Sequence, residues 1–247
     1  MDRPEVIEET AELITARGGR AIAIQVDHTD SDQVKELMDR IDQDERGRLD
    51  IAVNAIWGGD HLCQWRVPVW QHNLQNALRL QAVAVNSHLI TSWYVANLMV
   101  RRGAGLMIEI TDGITSDYRG SLYYDLAKSS INRLTVGLAQ ELREQGVCVI
   151  AVSPGYLRSE AMLDRFGVTE ASWRDAIAKD PHVEVSESPA YVARIVAALA
   201  KEDQVMLRTG RALATWNLAK EFGVYDADGS QPDWGTYSRN VLGMDSG

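Results

Sequence analysis

Tyr124 and Lys128 lie four residues apart in Leu122-Tyr123-Tyr124-Asp125-Leu126-Ala127-Lys128, a stretch that reads as a helix. On a helix that spacing puts both side chains on one face. A phenol titrates near ~10 and an ammonium near ~10.4, and a close cation lowers an acid's pKa by roughly 1–3 units. Such a pair can give or take a proton near neutral pH. The same spacing also suits a Tyr packed on a neighbouring helix beside a solvated Lys. A hydroxyl and a carboxyl come shortly before the pair, as Thr111 and Asp112 in Ile110-Thr111-Asp112-Gly113. What the four groups can do depends on the elements that position them.

Those elements alternate. Residues 4–17 predict a helix on Val6, Ile7, Ala11, Leu13 and Ile14, stopped by Gly18-Gly19. Residues 20–26 read as a buried strand, closed by Asp27-His28-Thr29-Asp30. A helix follows over about 31–46 and a strand over 49–54, then an irregular Trp-rich loop through Val69. One long helix is expected over roughly 71–102, a strand over 106–111, the Tyr–Lys helix to about 145 and a strand over 147–152. Ser153-Pro154-Gly155 turns the chain into a polar insertion over about 156–185, followed by a helix to Ala200 and a short strand near 207–214. Strands alternating with helices long enough for crossovers signal an α/β fold, a doubly wound parallel sheet covered on both faces. No repeat, low-complexity run or linker interrupts the pattern, so residues 1–247 read as one domain with a C-terminal extension over about 215–247.

Composition narrows the function classes. The chain has 247 residues, 45% hydrophobic and 24% charged, which is ordinary for a globular protein able to bury a sizeable core. A net charge of −10 argues against general affinity for nucleic acid or anionic membrane. No run is long enough to span a bilayer and no signal-peptide core opens the chain, so a cytoplasmic location is expected. Cys63 and Cys148 are too few for a disulfide framework, and the histidines at 28, 61, 72, 88 and 182 lack metal-ligand spacing, so no metal is assigned.

Several short signals fall in the order of the short-chain dehydrogenase/reductase superfamily. Asp27-His28-Thr29-Asp30 after a strand resembles that family's adenine-contacting segment. Val53-Asn54-Ala55-Ile56 stands where the family has V-N-N-A, and Val85-Asn86 resembles its V-N, whose Asn belongs to the catalytic tetrad. Tyr124 and Lys128 follow, and Ser153-Pro154-Gly155 with Ser159 resembles its P-G-x-x-x-T. Glu187-Ser188-Pro189, Thr209-Gly210-Arg211 and Asp226-Ala227-Asp228-Gly229 look like the subgroup around dehydrogenase/reductase SDR family member 1. The resemblance implies an NAD(P)-dependent oxidoreductase, with NADP(H) favoured over NAD(H), that reduces a small carbonyl compound or oxidises the alcohol by hydride transfer. Tyr124 would donate the proton. Lys128 would lower its pKa and bind the nicotinamide ribose, and Asn86 would hold the relay to solvent. Asp27, His28, Asn54, Ala55, Pro154, Gly155 and Ser159 would lie along the cofactor, although Asp27 also suits a plain turn and Asn54 a brace between strands. Trp57, Trp65 and Trp70 with Tyr118 either line a substrate pocket or pack on the sheet. The resemblance also allows a homodimer across residues 71–102 and the Tyr–Lys helix.

Two departures stand against the pattern. The family's serine, some twelve or thirteen residues before its Tyr, is here Asp112 or Thr111. An ionised carboxylate only accepts hydrogen bonds, and beside Tyr124 it would raise the phenol's pKa. An aspartic acid kept protonated at pH 7 needs an upward shift of ~3 units from about 3.9, worth roughly 4 kcal/mol. Thr111 as the hydroxyl donor is the preferred reading, with a neutral Asp112 or an Asp112 turned away as the others. The second departure is the missing T-G-x-x-x-G-x-G turn that holds a pyrophosphate on a helix N-terminus. In the usual strand order, residues 20–26 and 49–54 are the third and fourth strands, so the expectation is that about 50 residues precede Met1. If none do, residues 20–26 should move to pair with 49–54 or a partner chain should cover the edge. A non-catalytic relative unable to hold a dinucleotide, and so without a cofactor, is the alternative.

Overall fold

The computed structural model describes residues 6–243; the first residues of the helix expected at 4–17 and the last of the C-terminal extension lie outside them, and the rest of that helix forms α1 (Ile7–Ala16). Four parallel strands form the sheet in the order β1 (Ile51–Asn54), β2 (Gly105–Ile110), β3 (Val147–Ser153) and β4 (Ala212–Ala214). The register pairs Val53 with Ile108, Ile108 with Ile150 and Val152 with Leu213. Every residue of β3 is buried, because Val-Cys-Val-Ile-Ala-Val has an apolar side chain for each face of the sheet.

Helices cover both faces. On one face Leu106, Ile108, Cys148, Ile150 and Val152 pack against α7 (Pro189–Leu199) and α8 (Thr215–Phe222) through Tyr191, Ile195, Leu199 and Leu218. On the other, Met107, Val147 and Val149 meet α2 (Ser31–Asp44), α4 (Ser87–Arg102) and α5 (Leu122–Leu142) through Met38, Val95, Leu98, Met99 and Ala139. A smaller cluster of Leu62, Leu80, Ala84 and Ala127 forms the floor below the loop that follows β1. The insertion folds as α6 (Glu160–Phe166) and two short 3₁₀ turns around Trp173, Ala176 and Val183. After α8 the described residues close with α9 (Trp234–Tyr237) and a π turn at Ser238–Leu242.

Three expectations about elements are corrected. Residues 20–26 form no strand. They run without a ladder partner among the described residues, and β1 has only β2 beside it. A strand needs a neighbour for its backbone groups. The segment instead borders a groove on α2, lined by Ile22, Ile24, Leu37 and Ile41, while Ile51 and Val53 on β1 stay exposed. The predicted pairing of 20–26 with 49–54 is therefore not formed. Next, the helix expected over 71–102 is broken into α3 (Leu74–Gln81), a π turn (Ala82–Asn86) and α4. The Ser87 hydroxyl donates to the Val83 carbonyl at 2.7 Å at this junction. Such back-bonding disturbs the regular ladder. Last, the strand expected near 207–214 shrinks to Ala212–Ala214 behind a 3₁₀ turn at Val205–Arg208. No described helix is long and apolar enough to cross a membrane.

Candidate active site

The C-terminal ends of the four strands share one edge of the sheet, where ligands bind in open α/β folds. Asn54 ends β1, Thr111 and Asp112 follow β2, and Pro154 and Gly155 follow β3. α5 starts at this edge, so Tyr124 enters in its first turn and Lys128 one turn later.

Tyr124 donates its phenolic hydrogen to Asp112 Oδ2 at 2.6 Å. The loop between β2 and α5 fixes that contact from several sides. Gly113 N–H donates to Ser153 Oγ at 2.7 Å, and its carbonyl accepts from Asn132 Nδ2 at 2.9 Å. Arg119 lies across Gly113, with Nη1 2.8 Å from Asp125 Oδ1 and Nε 3.8 Å from Asp112 Oδ2. Gly113 has φ +77°, and a Cβ there would stand 1.7 Å from Arg119 Nη2, so only glycine admits this close approach. Trp57 meets the Tyr124 ring edge-on at 5.5 Å, and Trp65 lies tilted against it at 4.8 Å. The Trp65 loop is tied down by Arg66 N–H donating to the Gly120 carbonyl at 3.2 Å.

Lys128 reaches the Trp57 ring, with Nζ 4.1 Å from that ring's centroid and 5.8 Å from the Tyr124 centroid. It forms no ion pair among the described residues and is crowded by protein, so the solvated-Lys reading fails. Burial pulls its pKa below the ordinary value, against the pull of Asp112 and Asp60. Burial pushes the Tyr124 phenol well above its ordinary value, and the Asp112 charge and hydrogen bond push it further. Burial and Asp112 thus act on the phenol against the lowering expected of Lys128.

Thr111 is corrected as well. Its buried hydroxyl donates to the Lys128 backbone carbonyl at 3.1 Å, since a hydroxyl between strand and helix must find an acceptor. It braces α5 on the sheet and leaves Asp112 as the group in contact with Tyr124.

The remaining residues fall into separate places. Asn86 ends the π turn with its side chain exposed, and no hydrogen bond among the described residues joins it to Tyr124 or Lys128. Asp27 accepts from Thr29 N–H at 2.8 Å and Thr29 Oγ1 at 2.7 Å, a turn that lowers its pKa, and His28 Nδ1 lies 2.8 Å from Thr91 Oγ1. Asn54 is buried and reaches Glu109 Oε1 at 3.5 Å, bracing β1 on β2, while its own Oδ1 has no partner. Ala55 is exposed at the start of the loop, and Ser159 caps α6 by accepting from Met162 N–H. Trp70 and Tyr118 are exposed and do not join Trp57 and Trp65.

Three groups escaped the reading of the sequence. Glu109, in the middle of an apolar strand, is fully buried between His88 Nδ1 at 2.5 Å and Ser92 Oγ at 2.7 Å. Its i, i+4 partners His88 and Ser92 on α4 were the available signal. Arg119 gave none. Glu187 is buried behind Gly155: it accepts from Thr215 Oγ1 at 2.8 Å and from Gly155 N–H, while its Oε1 has no partner. Burial pushes its carboxyl up to about 7. The Glu187-Ser188-Pro189 run had marked that position without its chemistry.

The comparisons with known proteins bear on the family and the fold. The family described as Enoyl-(Acyl carrier protein) reductase matches residues 1–214. Dehydrogenase/reductase SDR family member 1 of Mus musculus is 28% identical over 236 residues, covering 91% of this chain and 73% of that protein. A 3-oxoacyl-[acyl-carrier-protein] reductase of Synechocystis is 31% identical over 154 residues, 61% of this chain and 58% of that one. Among solved structures, a short-chain type dehydrogenase/reductase from Mycobacterium marinum superposes with a TM-score of 0.68 at 25% identity, covering 84% of this chain and 79% of that one. An NAD+-bound xylitol dehydrogenase superposes with a TM-score of 0.70 at 20% identity, covering 84% and 83%. The chain belongs to the short-chain dehydrogenase/reductase superfamily, a superfamily of oxidoreductase enzymes.

Proposed function

We propose that the protein is a nicotinamide-dependent carbonyl reductase in which Tyr124 delivers the proton. The observation that carries this reading is the placement of Tyr124 and Lys128 together at the C-terminal edge of the strands, both against Trp57. A phenol protonated throughout neutral pH suits proton delivery to a developing alkoxide better than proton removal from an alcohol. Asp112 occupies the phenol's one donor, so a substrate carbonyl must take over that hydrogen bond. Arg119, 3.8 Å away, is the cation to which the released carboxylate can turn. Lys128 then faces the oxygen's growing negative charge on the same side as Tyr124.

The fit to a nicotinamide dinucleotide is uneven along its length. Lys128, without an ion pair, has donors to spare for a ribose hydroxyl, and Pro154 and Gly155 stand at the same strand edge. Bound there, the nicotinamide would supply the hydride. No glycine-rich turn among the described residues stands between a strand and a helix to receive its phosphates. The free edge of β1, with Ile51 and Val53 exposed, supports two further strands at that place. NADP(H) is the preferred form, in line with the subgroup and with a gluconate 5-dehydrogenase from Burkholderia cenocepacia solved with NADP and tartrate. The exposed Leu89, Trp93 and Leu126 on α4 and α5 support a homodimer across those helices.

NADPH fluorescence titration, on this chain and on a form extended at its N-terminus, tests the binding half of the reading. In the form that binds, Tyr124→Phe should keep binding and lose turnover by about 10²–10⁴-fold, the usual worth of general acid catalysis; unchanged turnover would remove Tyr124 from its role. Binding by neither form would favour a non-catalytic relative, a second reading supported by Asp112 holding the only hydrogen Tyr124 can donate.

A further inference from the structure

We propose that Trp57 is a positioning residue for Lys128: Asp60 hangs its indole so that one ring face holds the ammonium as a cation while the ring meets Tyr124. The inference rests on the reading of Tyr124 and Lys128 given above, and adds a residue from the irregular loop after β1.

The geometry comes from three contacts on one indole. Lys128 Nζ lies 4.1 Å from the Trp57 ring centroid. Trp57 meets the Tyr124 ring at 5.5 Å with an interplanar angle of 83°. Trp57 Nε1–H donates to Asp60 Oδ1 at 2.7 Å, which fixes the ring's rotation. The backbone leading into Trp57 is held as well, since the Ile56 carbonyl sits 3.0 Å from the buried His88 Nε2. Gly59 leaves room for the ring: a Cβ there would lie 2.9 Å from Trp57 Cζ2 and 2.2 Å from Leu80 Cδ1.

The chemistry gives that arrangement a purpose. Lys128 is crowded by protein and forms no ion pair among the described residues, so the attraction of Asp112 and Asp60 offsets only part of the cost of keeping it charged. Trp is the strongest of the aromatic partners for an ammonium, and the interaction grows as water is withdrawn. Asp60 acts twice, by orienting the indole and by attracting Lys128 through its own charge.

The test reads Lys128 directly in the unliganded chain, by following the lysine ε-methylene and ammonium resonances with pH, with Lys128→Met to assign them. Trp57→Leu should lower the Lys128 midpoint by roughly half to one and a half units, the pKa equivalent of a cation–π contact. Trp57→Phe keeps a ring face and should fall by less. Asp60→Asn keeps an acceptor for the indole but loses the charge, and should also fall. Where the chain turns over, the alkaline limb of kcat/KM should move to lower pH by the same amount, because the neutral lysine then appears earlier. An unchanged midpoint in Trp57→Leu, or an equal fall in Trp57→Phe, would overturn the proposal. So would a loss of turnover that is uniform across pH, the mark of a purely structural role. Retention of the amide fingerprint shows that each variant is folded, and Trp57→Phe carries the test if Trp57→Leu is not. The lysine titration needs no cofactor, so its failure is distinct from failure of NADPH binding or of Tyr124→Phe.

Discussion

Glu187→Gln should make the protein relatively more stable as pH rises, by an amount set by burial. Glu187 is 1% exposed, with one oxygen bonded to Thr215 and Gly155 and the other without a partner. Burial raises its pKa from 4.5 to about 7, a difference of about 2.5. At about 1.36 kcal/mol per unit this is worth about 3 kcal/mol. The sign follows from which state binds the proton. With the folded pKa raised, the folded chain keeps a proton that the unfolded chain has lost between pH 4.5 and 7. The favourable contribution is therefore complete below the unfolded pKa and is lost as pH rises through the folded one. Glutamine has no proton to lose there, so the stability of Glu187→Gln minus that of the parent should grow by about 3 kcal/mol between pH 4.5 and pH 8. Urea unfolding of both chains at half-unit steps measures that difference, in which contributions from all other groups cancel. A difference flat with pH would refute the reasoning, and a shrinking one would mean that Glu187 is ionised and paired.

Asp112→Ser should lower the Tyr124 pKa, by removing a charge and a hydrogen bond that favour the protonated phenol, and should raise turnover at pH 7. The pH–rate profile measures it, and an unmoved profile would show that Asp112 does not control the phenol. Gly113→Ala should cost about 1–3 kcal/mol in denaturant midpoint, because φ +77° is strained for alanine and the new Cβ displaces Arg119 from Asp125. A cost below half a kcal/mol would mean that Arg119 moves aside freely.

What the sequence disclosed depended on the range of the interactions involved. β2, β3 and α5 were legible, because an apolar run such as Val147–Val152 and the punctuating Gly103 and Gly146 are local signals. Residues 20–26 carry an equally apolar run and form no strand, because a strand is made by its neighbour and no neighbour stands beside it among the described residues. The choice between Thr111 and Asp112 turned on direction. Adjacent residues at a strand end point to opposite sides, so one went to the α5 backbone and the other to the Tyr124 hydroxyl. Nothing in composition or spacing says which. Trp57 stayed ambiguous for a related reason: its loop has no periodicity, and only Asp60, Gly59 and His88 together set the plane of its ring.

The Tyr–Lys spacing predicts a lowered phenol pKa, whereas burial and Asp112 act the other way, because spacing ranks charges by sequence and electrostatics ranks them by distance and hydration. Four residues on a helix place Lys128 on the same face as Tyr124, but its ammonium lies over Trp57, 5.8 Å from the phenol ring's centroid. Asp112, twelve residues away in sequence, is in hydrogen-bond contact at 2.6 Å. Burial then acts on both members at once. It favours the neutral phenol and the neutral amine, and so raises one pKa and lowers the other. The two shifts therefore run in the opposite sense to those of a phenolate–ammonium pair: burial holds the proton on the phenol and works against the charge on the lysine. Asp112 and Asp60 supply part of the support for that charge, and the indole proposed above to hold the ammonium would bring the loop after β1 into the proton chemistry beside the helix that carries Tyr124 and Lys128.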